Sequence, residues 1–419
     1  MGIEQVGIHD SFFELGGDSV ISIQFIARAN KAGLRLTPKQ VFEYQTVAEL
    51  AGAAGTTEVM QAEQGIVQGP VPLTPIQRRF FEQHTTDEHH FNQSFMFEVR
   101  EALPPSLVER TLQYLLGHHD ALRLSITRGG GGWEQFNAGF DGATPFTCVD
   151  LSNLSGGRQT AALEAAAAAT QGSLDLKAGP LVRLVLVDLG AGQPMRLLIV
   201  IHHLAVDGVS WRILLEDMQT IFNQLKAGQP IDIGLKTTSL KAWAERLAGY
   251  ASSVESERAY WLDARRERVT GLPVDYPESL NSEASARTVS VSLTAEETQA
   301  LLQEVPQAFH TQINEVLMTA LVQSCAAWTG MRSMVVDMEG HGREAIFEDV
   351  DLSRTVGWFT TVFPVLLDIE EAATPLDALR LVKESLRAVP NRGLGYGVTR
   401  YLSPDAEVRE RLGRLPQAE

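Results

Sequence analysis

An apolar run, Leu197-Leu198-Ile199-Val200-Ile201, ends in two adjacent histidines, His202 and His203. A helical pattern follows, with apolar residues at Leu214, Met218, Ile221, Phe222 and Leu225. A strand that feeds a turn and then a helix commits this part of the chain to packed layers of sheet and helix. Neighbouring side chains at a strand end leave opposite faces. One imidazole can therefore face a channel while the other is buried. An imidazole titrates near pH 6.5, so it can accept and return a proton at neutral pH.

Around that segment the chain divides into regions. Residues 1–53 read as a small helical piece. Asp18 is placed to cap a helix from Ser19 to Ala32, and Gly33 stops it. Thr37-Pro38 starts a second helix, and Thr46-Val47-Ala48-Glu49 is a capping box for a third. Residues 54–69 carry little apolar periodicity and read as a linker. From Pro70 strands and helices alternate, an α/β (α+β) pattern that suggests a large mixed unit. Thr74, Pro75 and Gln77 mark the first helix of this unit as cap, first residue and capping-box partner. Strands are expected at Phe95 to Val99, Leu181 to Val187, Leu197 to Ile201, Met334 to Met338 and Val362 to Leu367. Helices are expected at Leu107 to Leu116, Ala161 to Ala169, Trp211 to Leu225 and Asn314 to Trp328.

Bulk properties exclude several classes. The net charge is −17 over 419 residues, which argues against a nucleic-acid binder, since that needs a basic patch. No signal peptide and no apolar run of about 18 residues occurs, so no membrane partner is expected. The two cysteines, Cys148 and Cys325, are far apart, which fits a reducing, cytoplasmic setting. His203 and Asp207 supply at most two metal ligands where a catalytic zinc usually needs three, so no metal is expected. No GxSxG elbow appears, which disfavours a serine hydrolase.

Three segments carry chemistry. Leu15-Gly16-Gly17-Asp18-Ser19 leads into a helix start, where the dipole favours a phosphodiester on an exposed hydroxyl. His202 to Trp211 is the second. In the third, Glu339-Gly340-His341-Gly342-Arg343-Glu344, an expected strand runs into a glycine-rich turn, so Glu339 stands at a strand end as His203 does. From these residues alone, Ser19 is equally a plain first-turn residue, and for the Glu339 segment a surface turn of solvated charges is the stronger reading.

Asp10-Ser11-Phe12-Phe13-Glu14-Leu15-Gly16-Gly17-Asp18-Ser19 resembles the attachment motif of peptidyl carrier proteins of nonribosomal peptide synthetases. The resemblance implies a 4′-phosphopantetheine arm on Ser19, added by a phosphopantetheinyl transferase. Its Gly-Gly-Asp-Ser form is similar to carriers that precede epimerization domains. The family carrier has four helices and this piece shows the last three. His202-His203-Leu204-Ala205-Val206-Asp207-Gly208 resembles the condensation-domain superfamily, which implies two chloramphenicol-acetyltransferase-like lobes in a V shape, over residues 70–245 and 246–419 with the boundary between Leu225 and Tyr276. There the second histidine, His203, faces the reaction channel. Val209-Ser210-Trp211 and the Glu339 to Glu344 segment resemble the epimerization branch, in which the first glutamate, Glu339, is catalytic. Asp351 to Thr360 and Pro390 to Gly397 resemble two further motifs of that branch, read as shaping the channel.

The resemblance thus implies inversion at Cα of a carrier-bound aminoacyl or peptidyl thioester, L to D, between His203 and Glu339. His202, Asp207, Arg343 and Tyr396 are supporting residues. Asp207 is expected to anchor its turn through an arginine, and Arg343 to orient nearby carboxylates. The epimerization Asn-Tyr-Leu-Gly segment does not appear before Glu419, and its tyrosine's role does not pass to Tyr396 or Tyr401. Both ends read as cut from a longer synthetase, with an upstream adenylation domain and a downstream condensation domain as partners. The rival readings are a condensation domain that forms peptide bonds and an inert docking scaffold for carriers.

Overall fold

The structure, a computed structural model, describes residues 5–13, 15–17, 19–34, 36–55, 62–83, 86–101, 103–276 and 282–415; of residues 19, 20, 31, 38, 39 and 283 it describes the backbone only. The expected cap Asp18 and the starting residues Met1-Gly2-Ile3 lie outside the described residues.

The N-terminal piece holds helices α1 (Ser19–Lys31), α2 (Pro38–Glu43) and α3 (Val47–Ala53). Capping is what starts the two short ones. Thr46 accepts from Glu49 N–H while the Glu49 side chain reaches back to Thr46, and Thr37 and Gln40 form the same box. Gly33 ends α1 at a φ of +86°. Ile26, Leu36, Val41 and Leu50 form a small core with Phe12 and Phe25 against it. Ile23 does not join that core. It is buried in the large cluster of the next unit, so α1 packs on that unit as well.

The larger unit begins with strand β1 (Gly69–Val71) and helix α4 (Pro75–Gln83). Here the expected capping box is only half made. Thr74 N–H donates to Gln77 Oε1 at 3.0 Å, but the buried Thr74 hydroxyl has no hydrogen-bond partner among the described residues. The Gln77 Nε2 donates as well to Gln135 Oε1 and the Leu204 carbonyl.

Next come β2 (Asn92–Glu98), α5 (Pro105–His118), β3 (Leu124–Gly129), β4 (Gly132–Asn137), β5 (Phe146–Asp150), α6 (Gly157–Gln171), β6 (Val182–Asp188), β7 (Arg196–His202), α7 (Gly208–Lys226) and α8 (Leu240–Tyr250). One sheet has the order β2-β7-β6-β5, antiparallel except for the parallel β5–β6 pair; a second is β1-β4-β3. The unbroken apolar run of β7 has a simple cause, because both faces are covered. Leu197, Ile199 and Ile201 share a cluster with Leu112 and Leu116 of α5 and Leu214 and Ile221 of α7. Leu198 and Val200 pack instead with Val185, Val187 and Leu174, under Leu163 and Ala167 of α6.

Strands β8 (Ser333–Gly340) and β9 (Thr361–Asp368) pair antiparallel. Val336, Val365 and Leu367 share a buried cluster with Val322 of helix Ile313–Thr329 and Val382 of helix Pro375–Arg387. The chain order does not divide the two cores cleanly. Leu352, Val356, Trp358 and Phe359, expected in the second lobe, belong to the cluster of the first, as do Leu394 and Val398. This crossing segment positions the site.

Candidate active site

The end of β7 delivers two histidines to different environments. His202 is fully buried, its Nδ1 accepting from Leu204 N–H at 3.2 Å and its Nε2 2.9 Å from the Glu88 carbonyl. A carbonyl only accepts, so Nε2 carries the proton and the ring is neutral. Burial disfavours its charged form and pushes the pKa down to about 4. His203 is half-buried. Its Nδ1 lies 2.9 Å from the Val206 carbonyl, so that nitrogen holds the proton and Nε2 presents a lone pair. The ring is stacked on Phe91 at 5.2 Å and faces Trp358 at 4.6 Å. At Nε2 the partner is the side-chain amide of Gln93, 2.9 Å away, and Trp211 Nε1–H donates to Gln93 Oε1 at 2.7 Å.

Asp207 caps α7, accepting from Ser210 N–H at 2.7 Å. Both of its oxygens also accept from Arg343 Nη2, at 3.1 and 3.2 Å, and Oδ2 accepts from Phe359 N–H at 3.1 Å. Arg343 is buried, and its Nη1 donates to the Leu352 and Thr355 carbonyls at 2.8 and 2.6 Å. Ser210 Oγ donates to the Gly357 carbonyl and accepts its N–H. The turn after His203 is therefore bound to the turn after Glu339 and to the crossing segment.

Glu339 stands near the end of β8 and is exposed, with Val362 of β9 as its register partner. The turn beyond it is tight. Gly342 has a φ of +66°, and a Cβ there would stand 1.6 Å from the Phe359 carbonyl oxygen, so no other residue fits. His341 Nδ1 accepts from Arg343 N–H at 2.9 Å and its Nε2 lies 3.4 Å from Glu344 Oε1. Burial, then the Arg343 charge, pushes His341 down to about 4, and burial raises Glu344 above its ordinary range. Tyr396, expected as a supporting residue, lies on helix Leu394–Leu402. It is buried in the second cluster with its ring edge-on to Trp261 at 5.3 Å.

Ser19 opens α1, a 13-residue helix. Its side chain lies outside the described residues. The approach suits a phosphodiester arm: Gly16 has a φ of +87°, and Gly17 is pressed on Phe12 so closely that a Cβ would stand 2.4 Å from the Phe12 carbonyl. That turn leaves the first residue of the helix at its positive end.

Sequence reasoning misses Gln93, and it sees Trp358 only within a channel-shaping motif. Gln93 pairs in register with Ile201, and so stands on the same face of the sheet as His203, two residues along. Only knowledge of the β2–β7 pairing exposes that relationship.

A mixed sheet that ends in a histidine pair, joined to a helical piece that opens on a serine after two glycines, defines an enzyme fold of the chloramphenicol-acetyltransferase type served by a carrier. Residues 67–412 match the family described as condensation domain, and residues 1–54 the phosphopantetheine attachment site. The chain belongs to the condensation-domain family, with a phosphopantetheine attachment region ahead of it. It is 50% identical over 421 residues to one of the linear gramicidin synthase proteins of Brevibacillus parabrevis, covering 100% of this chain and 5% of that protein. It is 41% identical over 406 residues to surfactin synthase subunit 1 of Bacillus subtilis, covering 96% of this chain and 11% of that protein. The chain therefore spans a small part of the length of these relatives.

Among solved structures it is similar to the epimerization domain from the third module of tyrocidine synthetase B, with TM-score 0.76 and 38% identity over 82% of this chain and 78% of that one. It shares the fold of the first condensation domain of the calcium-dependent antibiotic synthetase, with TM-score 0.60 and 18% identity over 80% of this chain and 78% of that one.

Proposed function

We propose that this chain inverts Cα of an aminoacyl or peptidyl thioester carried on Ser19, using His203 and Glu339 as the two proton-transfer groups. The observation that carries the reading is the Asp207–Arg343 pair. It ties the turn after His203 to the turn after Glu339, so two proton-transfer groups from different strands belong to one braced unit. The 38% identity to an epimerization domain supports the same choice.

When present, the phosphopantetheine arm supplies the thioester, whose carbonyl acidifies the neighbouring Cα–H. His203 Nε2 takes the Cα proton, and the C–H electron pair moves onto the carbonyl oxygen. Glu339 in its acid form returns a proton from the other face, and the enolate electrons re-form the C–H bond. In the reverse direction the two residues exchange roles. His202, held neutral by burial, holds the strand end, while Asp207 and Arg343 hold the turns. In this reading an adenylation domain loads the carrier from upstream and a condensation domain takes the inverted product downstream.

The test is product analysis. The chain is loaded with an L-aminoacyl arm, incubated and hydrolysed, and the amino acid is resolved by chiral chromatography. A mixture of L and D is expected. Recovery of L alone overturns the proposal, as does formation of an amide when a second loaded carrier is added, since that is the product of condensation.

A further inference from the structure

The Trp211–Gln93–His203 chain has a polarity that the histidine alone does not reveal. An indole N–H can only donate, so the Gln93 atom 2.7 Å from Trp211 Nε1 is the oxygen. The nitrogen of the carboxamide then faces His203, 2.9 Å from Nε2. Because Nδ1 of that ring is committed to the Val206 carbonyl, Nε2 accepts one amide hydrogen. The carboxamide cannot turn its oxygen toward His203 without abandoning the indole. A buried Trp211, edge-on to Phe95 at 4.7 Å, makes that lock rigid. Gln93 is itself only half-buried. It borders a cavity of about 540 Å³ that Phe95, Gly208, Trp211 and Arg212 also line.

From this geometry we infer that Gln93 is a catalytic residue, the hydrogen-bond donor to the carbonyl oxygen on which negative charge develops as the Cα proton leaves. The inference rests on the epimerization reading. An amide nitrogen carries two hydrogens and no charge, and it stands beside the nitrogen that receives the proton. A substrate whose Cα–H takes the Nε2 lone pair releases the amide hydrogen that occupied it. The nearest acceptor for that hydrogen is the thioester oxygen, two bonds from Cα. As the C–H bond breaks, its proton goes to Nε2 and its electron pair to the carbonyl oxygen, and the Gln93 N–H meets that oxygen. On reprotonation from Glu339 the pair returns to Cα, and the Gln93 N–H returns to Nε2 once that nitrogen has passed its proton to solvent. A donor fixed in advance and aimed at developing charge is the arrangement that stabilises such an intermediate most. Trp211 fixes which end of Gln93 points inward, so it acts as a positioning residue.

Deuterium wash-in at Cα tests this role. The full chain is loaded separately with L- and D-aminoacyl arms, and exchange is measured for the wild type, Gln93→Leu, the isosteric Gln93→Glu and Trp211→Phe, each checked for an unchanged melting temperature. One enolate lies on the path from either isomer. Loss of its donor is therefore expected to slow both isomers equally, by about 100- to 1000-fold in Gln93→Leu and Gln93→Glu, the range for one oxyanion donor. Trp211→Phe should slow both by a smaller factor. Slowing of only one isomer shows that Gln93 acts only through His203 and overturns the inference, as does wild-type exchange in both variants. Absence of wash-in in the wild type removes the epimerization reading and this inference with it.

Discussion

Arg343 and Asp207 each lie four residues beyond a proposed proton-transfer group, Glu339 and His203, and the two meet as a buried ion pair at 3.1 and 3.2 Å. The aspartate is fully engaged: it caps α7, binds the guanidinium and accepts from Phe359 N–H. The arginine reaches two carbonyls of the crossing segment and lies 4.1 Å over the Phe359 ring. This brace joins the turn beyond β7 to the turn beyond β8.

Removal of one partner leaves the other as a buried, unpaired charge, which costs about 3–5 kcal/mol. Arg343→Ala and Asp207→Asn are therefore expected to lower the urea midpoint markedly. Arg343→Lys should recover little, because a point charge cannot serve Asp207 and two carbonyls together. Equilibrium urea unfolding of the three variants checks this.

Acid sensitivity follows from the buried imidazoles. His202 and His341 titrate at about 4 in the folded chain against about 6.5 when exposed. Between those values the unfolded chain binds more protons, so stability is lost as pH falls through the window, by about 1.4 kcal/mol per pH unit for each histidine. His118, also lowered to about 4 by burial, acts in the same direction. Glu344, raised by burial, acts oppositely above the ordinary carboxylate range. Thermal melts between pH 7 and pH 4 should show a steep decline, and His341→Asn should make it shallower by one histidine's share.

The seating of the carrier rests on another pair. The Arg392 guanidinium lies 3.6 Å from the centre of the Phe42 ring, which stacks in turn on Phe13 at 4.8 Å. Arg392 is held in a left-handed turn at a φ of +52°, next to Asn391, whose amide donates to the buried Glu257 at 2.6 Å. An exposed cation–π contact contributes about 0.5–1 kcal/mol. Arg392→Ala should therefore lower the docked population of the carrier about two- to five-fold. Nitrogen relaxation of the carrier amides reads this directly, as faster tumbling of that region in the variant.

Features that depend on neighbouring residues were legible in the sequence. The apolar run of β7, the Thr46–Glu49 box and the Gly33 stop all act within a few residues, and the family motifs added the two-lobed class. Features that depend on distant pairing were not. Gln93 reaches His203 only because β2 pairs with β7, and Arg343 reaches Asp207 across 136 residues. At Thr74 the local rule is half kept: Gln77 Oε1 accepts from Thr74 N–H as the box requires, while its Nε2 ties the helix start to Gln135 and the Leu204 carbonyl, contacts that only the tertiary fold supplies. The segment at Trp358 and Phe359 joins the first core, and Phe359 N–H donates to Asp207 there, tertiary contacts that no local pattern encodes.

The central claim is that His203 and Glu339 serve opposite faces of one tethered stereocentre. Its most direct measurement is deuterium wash-in from L- and D-loaded arms in His203→Ala and Glu339→Gln. The account predicts that each variant loses the exchange that begins with its own residue as base, one isomer in one variant and the other isomer in the other. Exchange of both isomers at the wild-type rate in either variant would contradict it.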